Sequence, residues 1–269
     1  MSGELTSSVV VCPDPETPVL RTRAAVLAGR LQLPLAALPV AARLLVLAVT
    51  GERLELREGG VRRSRPIFVD FVSGDVVRGH RDVGLAGRLI ARAIGFKGKP
   101  QVIVDATAGL GRDSRVMASL GCMVTAVERS PVLFALLADG LDRAGSGAEA
   151  GPALRGRLRL VEGDARSVLV RLAEDQRPDV VYIDPMFPPS GKQALARKEM
   201  RICRRVVGDD PDAGGLVRVA MQAARRRVVV KRWLRVPPLR EDPDIVYRGK
   251  TIRYDVYLPG LAKPGTANA

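Results

Sequence analysis

Histidine is nearly absent from this sequence: His80 is the only one in 269 residues. Nucleophile systems that need an imidazole, Ser-His-Asp or Cys-His, are therefore disfavoured. His80 itself, beside Arg78 and Arg81, reads as a surface residue rather than a catalytic base. Cysteine is scarce too. Cys12, Cys122 and Cys203 are scattered, odd in number and without metal-ligand spacing. That argues against a zinc site or a disulfide framework, so no metal is expected and a reducing cytoplasm fits best. A basic leader is missing, since the first Arg is Arg21. Long uninterrupted apolar runs are missing as well. The most apolar window, Leu31 to Gly51, is broken by Pro34, Pro39 and Arg43, whereas a membrane span needs about 20 mostly apolar residues. It reads as buried soluble structure, with neither a signal peptide nor a membrane partner expected. Acids are in deficit: 29 Asp and Glu face 43 Lys and Arg, a formal net charge of +14. Such a balance favours a polyanionic partner such as nucleic acid, or an anionic membrane surface.

The chain is long enough for a sizeable core, and its texture divides near residue 80. Residues 1–79 read as a small mixed α+β extension. "SVVVC" (Ser8 to Cys12) looks like a strand and "RTRAAVLAGRL" (Arg21 to Leu31) like a helix. "RLLVLAVTGERLELRE" gives two strands around Thr50-Gly51-Glu52, and "PIFVDFVSG" (Pro66 to Gly74) one more. Residues 80–260 alternate apolar runs with helix-length segments. A basic amphipathic helix is expected to end at Gly95. Strands are expected at "QVIVDA", "MVTAVE", "RLRLVEGD", "DVVYID" and "RRVVVKRW", and Ser130-Pro131 opens a helix. Such alternation predicts an α/β fold with an open, mostly parallel sheet, Rossmann-like in kind. "RRVVVKRW" and "TIRYDVYLP" are expected to close it as an antiparallel edge pair. Residues 261–269 read as a disordered tail.

"VDATAGLGRDSRV" lies at the first strand-to-helix junction of this second unit. Gly109 and Gly111 form a G-x-G turn that lets a ligand approach the backbone, with Asp105 just upstream. A tight α/β connection alone would also need such glycines. Glu128 ends the next strand, nineteen residues beyond Gly109, where a doubly wound fold places an acid for ribose hydroxyls. Asp164 ends the third strand in "EGDA", beside the place of an adenine. Strand-end acids also serve as turn formers and helix caps. Together, though, they point to a nucleoside ligand across the carboxyl ends of the strands. The last glycine of a dinucleotide motif is replaced by Ser114, and no Walker pattern is present. A nucleoside with a charged, non-phosphate tail fits better, and S-adenosylmethionine is one.

The fourth strand ends in "DPMF" (Asp184 to Phe187). It resembles the [D/N/S]-P-P-[F/Y] signature of methyltransferases that act on exocyclic amines of bases, with Met186 for the second Pro. The chemistry accounts for the residue types. An exocyclic amine is a poor nucleophile because its lone pair is delocalised into the ring. Asp184 and the Pro185 carbonyl could accept its N–H bonds and align the nitrogen with a methyl donor. Phe187 could stack on the displaced base.

The resemblance widens over "IFVDFVSG", "VDATAGLGRD", "ALLADGL", "VVYIDPMFP", "RKEMR", "DPDAGGL" and "RRVVVKR". All are similar to RsmJ, the bacterial small-subunit ribosomal RNA guanine-N2 methyltransferase family, roughly from Pro66 to Arg232. This resemblance implies a class I methyltransferase that uses S-adenosylmethionine. Arg112 and Asp113, Glu128 and Arg129, and Asp164 with Ala165 would contact the cofactor, and Asp184 would lie between cofactor and base. The implied substrate is one guanosine near the 3′ end of 16S rRNA, free or in the small ribosomal subunit, and the product N2-methylguanosine. Departures from the family pattern fall at "VGLAGRL", at "PSGK" after Pro188, and at the acidic "EGDA".

Lys192, Arg197, Lys198 and Arg201 follow the "DPMFP" loop and could meet RNA phosphates, or form a solvated helix face. "RRRVVVKRW" could continue that patch, with Trp233 either packed or stacking on a base. Two other functions remain open from the sequence: a DNA adenine-N6 methyltransferase, and a non-catalytic ribosome-assembly factor that binds RNA through its charge.

Overall fold

Short runs of β-branched residues build two sheets, described in a computed structural model over residues 9–60, 65–71, 85–145, 150–185, 194–208 and 213–260. The first sheet has three strands in the order β1 (Val9–Pro13), β2 (Leu45–Val49), β3 (Leu54–Glu58). β1 and β2 are parallel, connected through helix α1 (Pro18–Leu31), and β2 and β3 are antiparallel. The β2–β3 turn is closed by Thr50, whose hydroxyl accepts from the Glu52 and Arg53 N–H groups. α1 begins three residues before the stretch expected to be helical. Thr17 caps it and Pro18 occupies a first-turn position, where its missing N–H costs nothing.

"PIFVDF" does not form the strand expected of it. Only Ile67 bridges to Leu56, and the neighbouring carbonyls are taken by side chains instead. The Arg143 guanidinium donates to Val69 O and that of Arg115 to Asp70 O. Residues 72–74 of that stretch, His80 and the 261–269 tail lie outside the described residues.

The second sheet has seven strands. β4 (Val102–Asp105), β5 (Met123–Glu128), β6 (Leu158–Glu162), β7 (Val180–Ile183) and β8 (Arg227–Trp233) are parallel neighbours in the order β6-β5-β4-β7-β8. β10 (Ile252–Tyr257) runs antiparallel to β8 as expected, but it is not the edge. β9 (Ile245–Arg248), which the hydrophobic pattern did not reveal, pairs outside it. Its side chains are only partly buried. The Arg92 guanidinium of helix α2 (Leu85–Ile94) covers the Tyr247 ring at 5.0 Å.

Alternate residues along the strands divide the core in two, as the two-residue period of a strand requires. Ile103, Tyr182, Val229 and Tyr254 meet α2, α3 (Arg112–Ser119) and α4 (Pro131–Gly145). Val104, Val181, Ile183, Val228 and Val230 meet α6 (Ala165–Val170) and α8 (Ala213–Ala223). Burial on both faces is what a mainly parallel sheet with helical crossovers produces. The first cluster continues into β1–β3, Ile67, Val69 and Phe71, so the N-terminal sheet and the larger sheet pack around one apolar body. α5 (Ala150–Arg155) and α7 (Ala194–Val207) complete the helices.

Candidate active site

The carboxyl ends of β4, β5 and β7 meet in an open cleft of about 470 Å³. In an open α/β sheet these ends carry the ligand because the strand order reverses there and the connecting loops splay apart. After β4 the chain turns sharply. The Ala106 and Ala108 N–H groups bond to Tyr182 O of β7 and Val127 O of β5, which hooks the loop to both neighbouring strands. Gly109 and Gly111 then take positive φ, +55° and +72°. Their roles differ. A Cβ on Gly109 would meet nothing closer than Thr107 O at 3.9 Å, so the space beside it is open to a ligand. A Cβ on Gly111 would stand 2.7 Å from Leu137 Cδ2 and 2.8 Å from Phe71 Cζ. At that position other parts of the protein need the space.

Each acid predicted from the sequence reaches this region, and each has a partner. Asp105 is buried and accepts from the Thr107 N–H at 3.2 Å and from the Ser114 hydroxyl. Burial pushes its carboxyl up to about 7 against the pull of Ser114. Glu128 spends both oxygens on backbone: Gly109 N–H donates at 2.8 Å and Ser130 N–H at 2.7 Å. It thereby fastens the glycine turn to the end of β5, and its burial raises its pKa. Asp164 caps α6 through the Arg166 N–H at 2.8 Å and pairs with the Arg166 guanidinium, whose hydrogen bonding lowers its pKa. It is a helix cap that also lines the cleft, as do Arg129 and Ala165. Arg112, at the mouth, pairs with Glu199 of α7 at 2.7 Å.

Asp184 emerges from β7 with its N–H donated to Thr107 Oγ1 at 2.6 Å, which ties it to the glycine loop. Its carboxylate does not stand alone. Lys231, within β8, donates to Asp184 Oδ2 and to Asp113 Oδ2, both at 2.8 Å. Tyr182 donates its hydroxyl to the same Asp113 oxygen at 2.6 Å. The sequence reading placed Lys231 in a basic surface patch. A usable signal was present: Ile183 pairs with Val230, so the residues that follow, Asp184 just past β7 and Lys231 still within β8, fall side by side. Pro185 and Trp233 also line the cleft.

Met186, Phe187 and Lys192 lie outside the described residues. Arg197 and Lys198 stand on α7, with their side chains outside the description. Arg201 is placed: its guanidinium pairs with Glu58 of β3 at 2.9 Å. Cys12, Cys122 and Cys203 are all buried and free. Among the described residues no group of three or more His, Cys, Asp or Glu is placed to hold a metal ion, and no helix is long and apolar enough to cross a membrane.

Comparison with known proteins agrees with this geometry. A family model described as "Putative SAM-dependent methyltransferase" matches residues 28–259. A ribosomal RNA small subunit methyltransferase J from Thioalkalivibrio sulfidiphilus is 48% identical over 243 residues, 90% of this chain and 94% of the relative. The chain belongs to this methyltransferase family. The protein of the same name from Coxiella burnetii is 44% identical over 244 residues, with the same two coverages. The crystal structure of a SAM-dependent methyltransferase from Neisseria gonorrhoeae superposes with a TM-score of 0.72 at 34% identity. That match covers 97% of this chain and all of the other. The fold is therefore the Rossmann-like class I methyltransferase fold, and the chain is an S-adenosylmethionine-dependent enzyme.

The cleft suits that cofactor. Its volume is within the usual range for small-molecule sites, about 300–1,000 Å³. Its acids are of the type that would accept from ribose hydroxyls and balance ammonium and sulfonium groups. Val127, Ala165 and Leu216 offer apolar surface for a purine.

Proposed function

We propose that this methyltransferase modifies the exocyclic N2 of one guanosine near the 3′ end of 16S rRNA, in the cytoplasm, giving N2-methylguanosine. The observation that carries the reading is Asp184-Pro185 at the end of β7, in the same cleft as Gly109 and Glu128. Relatives across nine-tenths of the chain are named for ribosomal RNA of the small subunit, which supports the substrate class.

In this reading S-adenosylmethionine, when bound, supplies the methyl group. Gly109, Arg112, Asp113, Glu128, Arg129, Asp164 and Ala165 hold it, with Asp105 supporting the turn through Ser114 and Gly111 admitting Phe71 beneath it. Asp184 and the Pro185 carbonyl accept the amine N–H groups and set the nitrogen lone pair in line with the methyl, so that catalysis rests on proximity and orientation. Phe187 stacks on the base. As the new N–C bond forms the methyl–sulfonium bond breaks, leaving S-adenosylhomocysteine, and the nitrogen becomes acidic and its proton passes to Asp184 or to water. Lys192, Arg197, Lys198 and Arg201 contact phosphates and orient the RNA without reading its sequence.

Tritiated methyl transfer to small subunits lacking the modification, followed by nucleoside analysis, tests this reading. Label recovered as N2-methylguanosine near the 3′ end of 16S rRNA is expected. Label on adenine N6 of duplex DNA, or none on the subunit despite cofactor binding, would overturn it.

A further inference from the structure

Lys231 occupies a position where a cation can govern the chemistry of its neighbours. β7 and β8 deliver Asp184 and Lys231 side by side, and α3 brings Asp113 against the same ammonium. Tyr182, from β7, holds Asp113 from within the core. Tyr254 of β10, the cross-strand partner of Lys231, is fully buried with its ring centroid 6.3 Å from that of Tyr182. The Asp184 charge also reaches Asp105 of β4, whose pKa it helps to raise. The cluster therefore has an aromatic floor and lines the cleft, with 38% of the Asp184 side chain exposed.

We propose that Lys231 is a positioning residue for methyl transfer: it clamps Asp184 Oδ2 to Asp113 Oδ2 and so keeps Asp184 an ionised carboxylate that offers its other oxygen, Oδ1, to the target amine. This inference rests on Asp184 being the amine acceptor, as set out above. An aspartate at this site faces two opposing pressures. Burial, tempered by its exposure to the cleft, raises its pKa, and the Asp113 charge adds to that push, while Lys231 pulls the other way. Without the lysine, two carboxylates would share one poorly hydrated corner and one would take up a proton, as like-charged pairs do. A protonated Asp184 is a weaker acceptor for an N–H donor. Burial would also lower the ammonium of Lys231, but the two carboxylates outweigh it and hold its pKa above its ordinary value. The lysine keeps its proton through the reaction. Two carboxylates and one ammonium sum to −1 before transfer. Once the amine nitrogen has bonded to the methyl carbon and the carbon–sulfur bond has broken, the positive charge sits on nitrogen and its N–H proton can pass to Asp184, which brings the cluster to zero before release to water.

The test is a carboxyl ¹³C NMR titration of the cofactor-free protein, with the Asp184 signal assigned by its loss in Asp184→Asn. Lys231→Met is expected to raise the Asp184 midpoint by ~1 pH unit or more, whereas Lys231→Arg leaves it near wild type. The acid limb of methyl transfer should move up with it. One pH unit below the shifted midpoint kcat should stand ~10-fold under its plateau, while the dissociation constant for S-adenosylmethionine changes little. An unmoved midpoint, or a kcat lowered equally at every pH, would overturn the proposal. If circular dichroism shows that Lys231→Met does not fold, Asp113→Asn serves instead. It leaves Lys231 to Asp184 alone and should lower the midpoint, and a midpoint that stays or rises refutes the clamp. The titration needs no RNA. A shifted midpoint with no label on guanosine would refute the substrate reading alone.

Discussion

Four of the carboxylates near the cofactor loop stand in four different environments, and their tasks separate accordingly. Asp184 faces the cleft, so its loss should affect the reaction more than the fold. Asp184→Ala is expected to lower methyl transfer at least ~10²-fold, the usual scale for a lost orienting or proton-accepting group, with cofactor affinity nearly kept. Single-turnover assays at saturating cofactor would show it, and near wild-type turnover would remove Asp184 from the mechanism. Asp105 faces inward. Its carboxyl, raised to about 7 by burial, binds a proton more tightly folded than unfolded. Between the ordinary carboxylate value and 7 the native state holds the extra proton, so stability falls as pH rises through that window. Asp105→Asn cannot ionise and should flatten this slope. Urea midpoints at pH 5 and pH 7.5 would differ less in the variant than in wild type. An unchanged difference would mean that Asp105 is already ionised throughout. Glu128 and Asp164 were read as acids for a nucleoside, and each also holds backbone, Glu128 at Gly109 and Asp164 at the start of α6. A residue type at a strand end cannot separate these two uses, because both require the same acceptor at the same place.

At the scale of elements, the contact between α4 and the 65–71 segment sets the back of the cofactor loop. Gly140 of α4 leaves room for Val69, and a Cβ there would stand 2.5 Å from Val69 Cγ1. Helix propensity alone would make Gly140→Ala stabilising by about 1 kcal/mol. Overpacking against a held backbone costs about 1–3 kcal/mol, and Val69 is held by Arg143. The variant should therefore melt several degrees lower, by roughly 2–4 °C per kcal/mol for a chain of this size. A higher melting temperature would show that the segment yields. This contact also marks the limit of what the sequence made legible. Strands from β4 to β8 were readable because each is a short apolar run between turn residues. The glycine turn, Glu128 and Asp184 were readable because strand ends carry the ligand in this architecture. β9 was not, since "IVYR" is short, half-exposed and held by tertiary contacts to β10 and Arg92. "PIFVDF" has strand composition, yet arginines from α3 and α4 take its carbonyls, and no local pattern encodes partners so distant in the chain. Lys231 was missed for a similar reason: a lysine among arginines reads as surface until strand pairing sets it beside an acid.

For the whole molecule, a formal charge of +14 overstates the cationic surface available to RNA. Several arginines serve as internal struts. Arg143 and Arg115 hold the 65–71 segment, Arg227 donates to Ala93 O at the end of α2, and Arg253 pairs with buried Asp255. Arg201 belongs partly to this group, because Glu58 of the N-terminal sheet already offsets its charge. An exposed pair of this kind contributes only about 0–1 kcal/mol to stability, but it subtracts one cation from what a phosphate meets. The four basic residues after the "DPMFP" loop should therefore not be equivalent. Affinity for polyanionic RNA falls linearly in log K against log salt, and the slope drops by about one for each phosphate contact removed. Replacing Arg197 and Lys198 together by Ala should lower that slope by up to about two and raise KM for the subunit, with kcat at saturating RNA unchanged. Arg201→Ala should lower it by less than one, and Glu58→Gln, which releases Arg201, should raise it. Filter binding of small subunits between 50 and 200 mM salt, a range flagged by the steepness of roughly 10³-fold or more for six to ten contacts, would separate these variants. Equal slopes for Arg201→Ala and wild type, with Glu58→Gln raised, would assign Arg201 wholly to the bond between α7 and the N-terminal sheet. Equal slopes for the Arg197 and Lys198 double variant and wild type would move the RNA path off α7.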